Sequence, residues 1–224
     1  NVEVDPRGGV RRRDAVTKVN ATALTDEIVS LFTHYESGQN QILASVNPST
    51  APSTTQVYWN ENASGDFSGP MERTTGTLVF SGSQPAAGVT FNGYTYIVNG
   101  SMLASPHSTG SAIQWHGSNA LPGSYPGYLT PDLDGSAGHF PCARYTTTWA
   151  EFVWVAYTLE TGTTHKNRVR FSAVNDAENW TATDYIDIDI GEDGDHITAI
   201  IPDADRLLVF KQNSIYAIYG FSRD

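Results

Sequence analysis

The sequence predicts an all-β protein built from antiparallel strands, with very little helix. Charged residues make up only 17% of the 224 residues, while glycine, aromatic and β-branched residues are plentiful. This composition favours strands and turns, and no segment keeps apolar residues at helical spacing over several turns. Two Asn-Gly pairs within Val89–Ala104 supply the residues that tight type I′ hairpin turns require.

Short apolar segments separated by polar turns follow one another along the chain, as expected for consecutive strands. The first two flank the polar turn ESGQN, and Tyr185–Ile190 alternates apolar with other residues as a half-buried strand does. The predicted strands, in order, are Glu27–Tyr35, Gln41–Val46, Thr55–Trp59, Gly76–Gly82, the meander Val89–Ala104, Ala143–Trp149, Glu151–Leu159, Asn167–Val174, Tyr185–Ile190, and the closing segments HITAII, RLLVF and SIYAIYG.

Three four-residue segments with an aromatic last residue recur at a constant interval. QVYW starts at Gln56, AIQW at Ala112 and RVRF at Arg168, so each starts 56 residues after the one before, and 224 residues hold four such lengths. Long repeats in an all-β chain are typical of a β-propeller, in which small sheets stack face to face. We therefore predict a propeller-like array of antiparallel blades, about four repeats of roughly 56 residues. A β-sandwich is the alternative.

A second set of longer apolar strands recurs less regularly. These strands start at Ile28, Tyr94, Phe152 and Arg206, at intervals of 66, 58 and 54 residues, and we expect them to occupy equivalent positions in successive blades. Residues 1–20 are predicted to form an N-terminal arm or edge strand. Residues 21–224 are predicted to form the propeller-like domain, either alone or as part of a longer chain.

Net charge and cysteine content restrict the partners and the source of stability. The formal net charge of −11 opposes binding to nucleic acid or to an anionic membrane, so neither is expected as a partner. A basic run precedes the predicted strands, and its residues Arg11, Arg12 and Arg13 are candidate contacts to another subunit. Cys142 is the only cysteine, so it cannot form an internal disulfide, and we expect it to be a small buried apolar residue.

Acidic residues concentrate in DIDIGEDGD, Asp187–Asp195, where the loop residues Glu192, Asp193 and Asp195 are weak candidates for calcium ligands. Asp132–Gly135 is a second weak candidate. A half-exposed strand with charged edge residues explains the same pattern, so we predict no metal and no cofactor. The histidines lack zinc-ligand spacing. No nucleophile elbow or phosphate loop occurs, and no carboxylate pair stands out, so we predict that the chain is not an enzyme.

Apolar residues predict both a core and an interface. The segment Gly117–Pro141 has no strand pattern, and long loops of this kind often contact neighbours. Its Tyr125, Tyr128 and Leu129 are therefore predicted to pack on another subunit. The predicted core residues are Trp59, Trp115, Trp154, Phe171, Trp180, Leu208 and Phe210.

The last quarter of the chain, Asn167–Gly220, resembles a stretch common in tail-associated structural proteins of tailed bacteriophages. The matching motifs are RVRFS, DAENW, YIDIDI, GDHITAIIP and DRLLVFKQNSIYAIYG, at Arg168–Ser172, Asp176–Trp180, Tyr185–Ile190, Gly194–Pro202 and Asp205–Gly220. The opening segment, Val2–Asn20, also looks like the start of such proteins, although Ala15 stands where glycine is frequent.

The resemblance implies a virion building block of the nozzle or adaptor type with a propeller domain. The expected partners are copies of the chain, arranged with cyclic symmetry, and neighbouring tail proteins. The expected location is the virion tail, after assembly in the host cytoplasm.

Two other functions stay open. The chain is alternatively a carbohydrate-binding or receptor-binding module, in which at least two tryptophan rings lie on one open face. The candidate rings are Trp59, Trp115, Trp149, Trp154 and Trp180. A polysaccharide-degrading enzyme is a third hypothesis.

Overall fold

A computed structural model describes residues 2–4, 10–12, 24, 26–36, 39–60, 65–73, 76–117, 126–189 and 195–220. Every regular element within these residues is a β-strand. Four antiparallel sheets are arranged as the blades of a β-propeller, so the predicted fold class is confirmed. The described residues contain no helix long and apolar enough to cross a bilayer.

The N-terminal strands form a separate two-stranded sheet. Strands β1 (Val2–Val4) and β2 (Val10–Arg12) pair antiparallel, with Glu3 opposite Arg11 and Val2 opposite Arg12. The side chains of Arg11 and Arg12, and the whole of Arg13, lie outside the described residues, so their contact with another subunit stays a prediction.

Blade 1 follows and has its strands in chain order. It consists of β3 (Glu27–Glu36), β4 (Gln39–Asn47), β5 (Thr55–Asn60) and β6 (Phe67–Ser68). A small hairpin, β7 (Glu72–Arg73) with β8 (Gly76–Thr77), comes next. Strand β9 (Val79–Phe80) then returns to pair with the start of β5, while β6 pairs with its end. Two short strands therefore cover the outer edge of β5.

Blades 2 and 3 each have four strands, again in chain order. Blade 2 consists of β10 (Ala87–Phe91), β11 (Tyr94–Val98), β12 (Ala112–Trp115) and β13 (Gly127–Leu129). Blade 3 consists of β14 (Cys142–Trp149), β15 (Phe152–Glu160), β16 (Thr163–Phe171) and β17 (Tyr185–Asp187).

Blade 4 has three described strands, β18 (Ile197–Asp203), β19 (Arg206–Lys211) and β20 (Ile215–Tyr219). The first strands of successive blades contact one another, β3 with β10, β10 with β14 and β14 with β18. No comparably close contact between described residues joins β18 to β3. Within the described residues the blades therefore form a series, with blade 1 at one end and blade 4 at the other.

The repeat predicted from sequence corresponds to the blades. QVYW, AIQW and RVRF lie in β5, β12 and β16, the third strands of blades 1, 2 and 3. The second series was wrong in its first member, because Ile28 lies in a first strand whereas Tyr94, Phe152 and Arg206 begin second strands. The second strand of blade 1, β4, starts at Gln39, which makes the intervals 55, 58 and 54 residues.

Turn chemistry explains several hairpins. Asn92 and Gly93 have φ values of 49° and 83°, and link β10 to β11 as the first Asn-Gly pair predicts. The second pair, Asn99-Gly100, makes no hairpin, since only Gly100 has a positive φ. Instead, the Asn99 side chain accepts hydrogen bonds from the backbone N–H and hydroxyl of Ser101.

Three apolar clusters fill the three junctions between successive blades. Trp59 and Trp115 meet between blades 1 and 2, with ring centroids 5.0 Å apart. Trp180 lies between blades 2 and 3, and Trp154 between blades 3 and 4. All four are at most 7% exposed, so their predicted core role is confirmed. Cys142 is also fully buried, and burial raises the pKa of its thiol to about 12.

The predicted core of blade 4 had the wrong alternation. Leu207 and Val209 face blade 3 and are fully buried, which turns Leu208 and Phe210 to the opposite face of the sheet, where both are half-buried. Because successive side chains of a strand point to opposite sides, an error of one residue exchanges the two faces. Phe171 is only half-buried, although it packs against the cluster between blades 3 and 4.

Candidate assembly surfaces

The outward face of blade 4 is apolar. Phe210 lies opposite Ile215, and Leu208 lies opposite both Ile201 and Ala217, so these residues share one side of the sheet. Ile201 and Ile215 are 48% and 64% exposed. We call this surface, made of Ala199, Ile201, Leu208, Phe210, Ile215, Ala217 and Tyr219, the blade 4 end face.

One edge of the blade 4 end face is polar. The Nε of Arg206 donates to Oδ2 of Asp203 at 2.8 Å, and Nη1 of Arg206 lies 3.3 Å from the hydroxyl of Tyr219. The hydrogen bond from Arg206, helped by the backbone N–H of Ala204, lowers the pKa of the Asp203 carboxyl. An apolar centre with a polar edge is the usual anatomy of a protein interface.

Blade 1 exposes apolar residues at the other end of the stack. The side chains of Leu31 and Tyr35 are 62% and 68% exposed. These residues are four positions apart on β3 and therefore lie on the same side of the strand. Their neighbours Phe32 and His34 point the other way, Phe32 into the first core cluster and His34 to a hydrogen bond with Thr95 of blade 2. We call the surface defined by Leu31 and Tyr35 the blade 1 end face.

Part of the predicted interface loop forms a strand of blade 2. Gly127–Leu129 forms β13, and Leu129 is buried in the cluster between blades 2 and 3, so its predicted contact with another subunit is wrong. Tyr128 is half-buried beneath Arg73, whose guanidinium lies 5.2 Å from the ring centroid. A contact of Tyr128 with a second chain stays a prediction, and Tyr125 lies outside the described residues. The three residues of β13 are too few for strand alternation to be recognised in the sequence.

Asp195, at the end of the acidic segment Asp187–Asp195, makes contacts within the chain. Asp195 accepts hydrogen bonds from the backbone of Asn213 and the hydroxyl of Ser214, and lies 3.5 Å from the buried ammonium of Lys211. Burial acts to raise the pKa of Asp195, but these hydrogen bonds and the Lys211 charge outweigh it and lower the pKa. Asp195 therefore serves to hold the turn between β19 and β20.

Of the remaining candidate calcium ligands, those in the second loop are described and those in the first loop are not. Glu192 and Asp193 lie outside the described residues. In the second candidate loop, Asp132 and Asp134 flank His139 at 3.6 and 3.5 Å. Within the described ranges, no three His, Cys, Asp or Glu side chains are grouped as ligands of a metal ion would be.

A charged network joins the last three strands of blade 3. Glu160 accepts two hydrogen bonds from Arg170, both at 2.7 Å, and one from Arg168 at 3.0 Å. Arg168 also binds both carboxylate oxygens of Asp187 at 2.8 Å, and its guanidinium lies 3.8 Å from the centroid of the Tyr185 ring. Every charge here has a partner of opposite sign, which is the arrangement of a structural network.

The network determines the protonation of Glu160. Partial burial, the largest single influence, acts to raise its pKa. The hydrogen bonds from Arg170 and Thr158, together with the charges of Arg170 and Arg168, outweigh burial and lower the pKa of Glu160 to about 2. The Glu160 carboxylate is therefore ionised at pH values well above 2 and can pair with both arginines there.

Sequence reasoning missed both end faces. The available signal was that β3 and β20 carry apolar residues on both sides, in EIVSLFTHY and SIYAIYG. A strand with one side in water alternates apolar and polar residues, whereas a strand that is apolar on both sides is usually covered on both.

Comparisons with known proteins do not assign the chain to a family. No protein-family model matches the chain, and no curated protein matches it either. Among solved structures, the crystal structure of the computationally designed Ika4 protein is similar with a TM-score of 0.47 and 8% sequence identity, over 92% of this chain and 99% of that chain. The fold assignment follows from the four sheets and needs no support from this likeness.

Proposed function

We propose that this chain is a structural component of a phage virion tail, where copies of it assemble with one another and with neighbouring tail proteins. The observation that carries the proposal is the pair of end faces, which expose large apolar side chains at both ends of the blade stack. The resemblance of Asn167–Gly220 to tail-associated proteins supplies the biological setting.

The two end faces differ, so the assembly they favour is head to tail. Leu31 and Tyr35 belong to blade 1, while Ile201, Ile215 and Tyr219 belong to blade 4. When one copy places its blade 1 on blade 4 of the next, each contact extends the face-to-face packing found within the chain. A head-to-tail contact produces a ring when its rotation closes, and a ring suits a component around a tail axis.

A sugar-binding role is less well supported. Stacking against sugars requires aromatic rings on an open surface, but each of the five tryptophans is at most 7% exposed. Their rings fill the junctions between blades. No observation in the described residues favours a polysaccharide-degrading site over this structural role.

Sedimentation of the purified chain over a range of concentrations, followed by negative-stain electron microscopy, tests self-assembly. We expect oligomers with cyclic symmetry. Leu31→Lys and Ile215→Lys should each weaken association at least tenfold, because each places a charge on one end face. Thr164→Lys, at an exposed position of blade 3 that belongs to neither end face, is the matched control and should assemble normally.

A chain that stays monomeric at every concentration, or that loses assembly equally with the control substitution, contradicts the proposal. The tail location requires a separate measurement. An antibody against the purified chain should label the tails of intact phage particles that encode it. Virions that contain no such antigen contradict the tail assignment even when the chain forms rings.

A further inference from the structure

The outer edge of blade 4 differs from that of every other blade. In blades 1, 2 and 3 the third strand is paired along its outer edge by β6, β13 and β17. In blade 4 no described strand pairs with the outer edge of the third strand, β20. An edge strand presents backbone N–H and C=O groups that another extended segment can pair with.

An apolar groove lies beside this edge. It has a volume of about 660 Å³ and runs between the end of β20 and the outer part of blade 3. Its apolar lining consists of three aromatic residues, Phe152, Trp154 and Phe171, and two isoleucines, Ile186 and Ile218. Ser172, Asn179, Thr181 and Asp184 add polar groups at the blade 3 side. This volume is in the range of binding sites that hold several apolar groups.

The groove lies where the inward side chains of a fourth strand belong. In blade 3, β17 places Ile186 opposite Val169 of β16, so that the outer strand extends the apolar face of its sheet. In blade 4, Tyr216 and Ile218 of β20 face blade 3 and pack on its cluster. A strand paired to β20 would point every second side chain the same way, into the groove above Phe171 and Ile186.

We propose that the outer edge of β20 and this groove form an acceptor site for an extended segment of a partner polypeptide, which pairs as the fourth strand of blade 4 and inserts alternate apolar side chains. The recognition is strand addition to a sheet edge, in which backbone hydrogen bonds give affinity and side-chain pockets give specificity. Tyr219 belongs both to the groove lining and to the blade 4 end face. The acceptor site nevertheless uses the outer edge of β20 and not that face, so peptide binding is measured separately from the self-assembly of the proposed function.

The features of the site select this occupant. A sheet edge that no described strand covers can pair with extended backbone, and the aromatic residues of the groove lining favour aliphatic side chains at alternate positions. The net charge of −11 favours segments that carry basic residues beside the apolar ones. The three complete blades show that this fold seats a strand at the same position.

Fluorescence anisotropy with a defined peptide tests the site. The probe is a fluorescein-labelled nine-residue peptide that alternates threonine and valine between two lysines. The matched control carries proline in place of its central valine, which keeps the charge but removes a backbone donor. We expect saturable binding of the probe and at least tenfold weaker binding of the control. Hydrogen exchange should show that the probe slows exchange of amides in residues 215–219.

Substitutions locate the binding. Ile186→Lys and Val174→Lys, at partly exposed positions in the groove, should each weaken probe binding at least fivefold. Thr164→Lys, at an exposed position of β16 outside the groove, should leave it unchanged. Circular dichroism confirms that the variants are folded, and the exchange measurement on the unsubstituted chain does not depend on them.

Four outcomes overturn the proposal. They are equal binding of the two peptides, no change in exchange of the β20 amides, β20 amides already protected in the chain alone, and self-association that protects the same amides. The third outcome means that another segment of the chain covers the edge, and the fourth that a second copy does.

Discussion

Trp180 shows how single aromatic side chains hold neighbouring blades together. Its ring is 1% exposed between blades 2 and 3, contacts Phe140 at a centroid distance of 5.2 Å, and donates from Nε1 to the carbonyl of Ala177 at 2.8 Å. The residue thus combines a large buried surface with a satisfied polar atom.

Trp180→Ala should lower the free energy of unfolding by about 3–5 kcal/mol, because it removes this packing and leaves a cavity. Urea unfolding followed by circular dichroism measures the change. Val174→Ala, at an exposed position six residues earlier, should change stability by less than about 0.5 kcal/mol. A loss below about 1 kcal/mol for Trp180→Ala would show that the junction repacks without the indole.

Glu160 makes stability depend on acid pH. Its pKa falls from an ordinary value of 4.5 to about 2 in the folded protein. A depressed pKa means that the carboxylate stabilises the fold fully above pH 4.5 and that this contribution is lost as pH falls through 2.

Glu160→Gln should be less stable than the wild type at pH 7, because Arg170 is 2% exposed and would lose its carboxylate partner. The difference between the two unfolding free energies should shrink as pH falls from 4.5 to 2. Urea unfolding at a series of pH values measures it. Glu72→Gln, at an exposed position, should follow the wild type. A difference that stays constant with pH would refute the assignment.

At the scale of elements, close approach between first strands determines how blades stack. Gly88 in β10 faces Phe32 in β3, and a Cβ atom at Gly88 would lie 2.4 Å from Cδ2 of the Phe32 ring. Glycine is therefore required here because the Phe32 ring of one blade closely approaches the backbone of the next, rather than for its backbone freedom.

Gly88→Ala should cost about 1–3 kcal/mol by overpacking the junction of blades 1 and 2. Phe32→Leu removes the ring atoms that would clash, so the cost of Gly88→Ala should fall by at least half in the Phe32→Leu background. Urea unfolding of both single variants and the double variant gives this coupling energy. Equal costs in the two backgrounds would mean that the ring contact is not the cause.

At the scale of the whole molecule, the stack gives its blades unequal support. Blades 2 and 3 each pack on two neighbours through the three clusters, whereas blades 1 and 4 each pack on one. In stacked repeats, stability is close to a sum of unit and nearest-neighbour contributions.

Native-state hydrogen exchange of the monomer should therefore show greater protection for the second strands of blades 2 and 3, β11 and β15, than for their counterparts β4 and β19. Mass spectrometry of peptides from the four strands measures the difference. Assembly through the end faces should reduce it. Equal protection in all four blades of the monomer would indicate that the end faces are already covered.

Much of this architecture could be predicted from the sequence, for reasons visible in particular residues. Asn92 and Gly93 adopt the positive φ values that their hairpin needs, and that local chemistry does not depend on the rest of the fold. The interval between Gln56, Ala112 and Arg168 reports the length of one blade, since equivalent strands recur once per sheet. The burial of Trp59 and Trp115, which end two of the repeated segments, followed from the same repeat.

The sequence by itself determined that the chain forms repeated antiparallel sheets held together by aromatic residues, because strand periodicity and turn chemistry are local. Only the tertiary structure decided which side of each sheet is covered. Leu207 and Leu208 are identical side chains in adjacent positions, and one is buried while the other faces outward. That choice depends on which blade lies alongside, a contact between residues far apart in the chain. The end faces and the edge of β20 that no described strand covers depend on the same contacts.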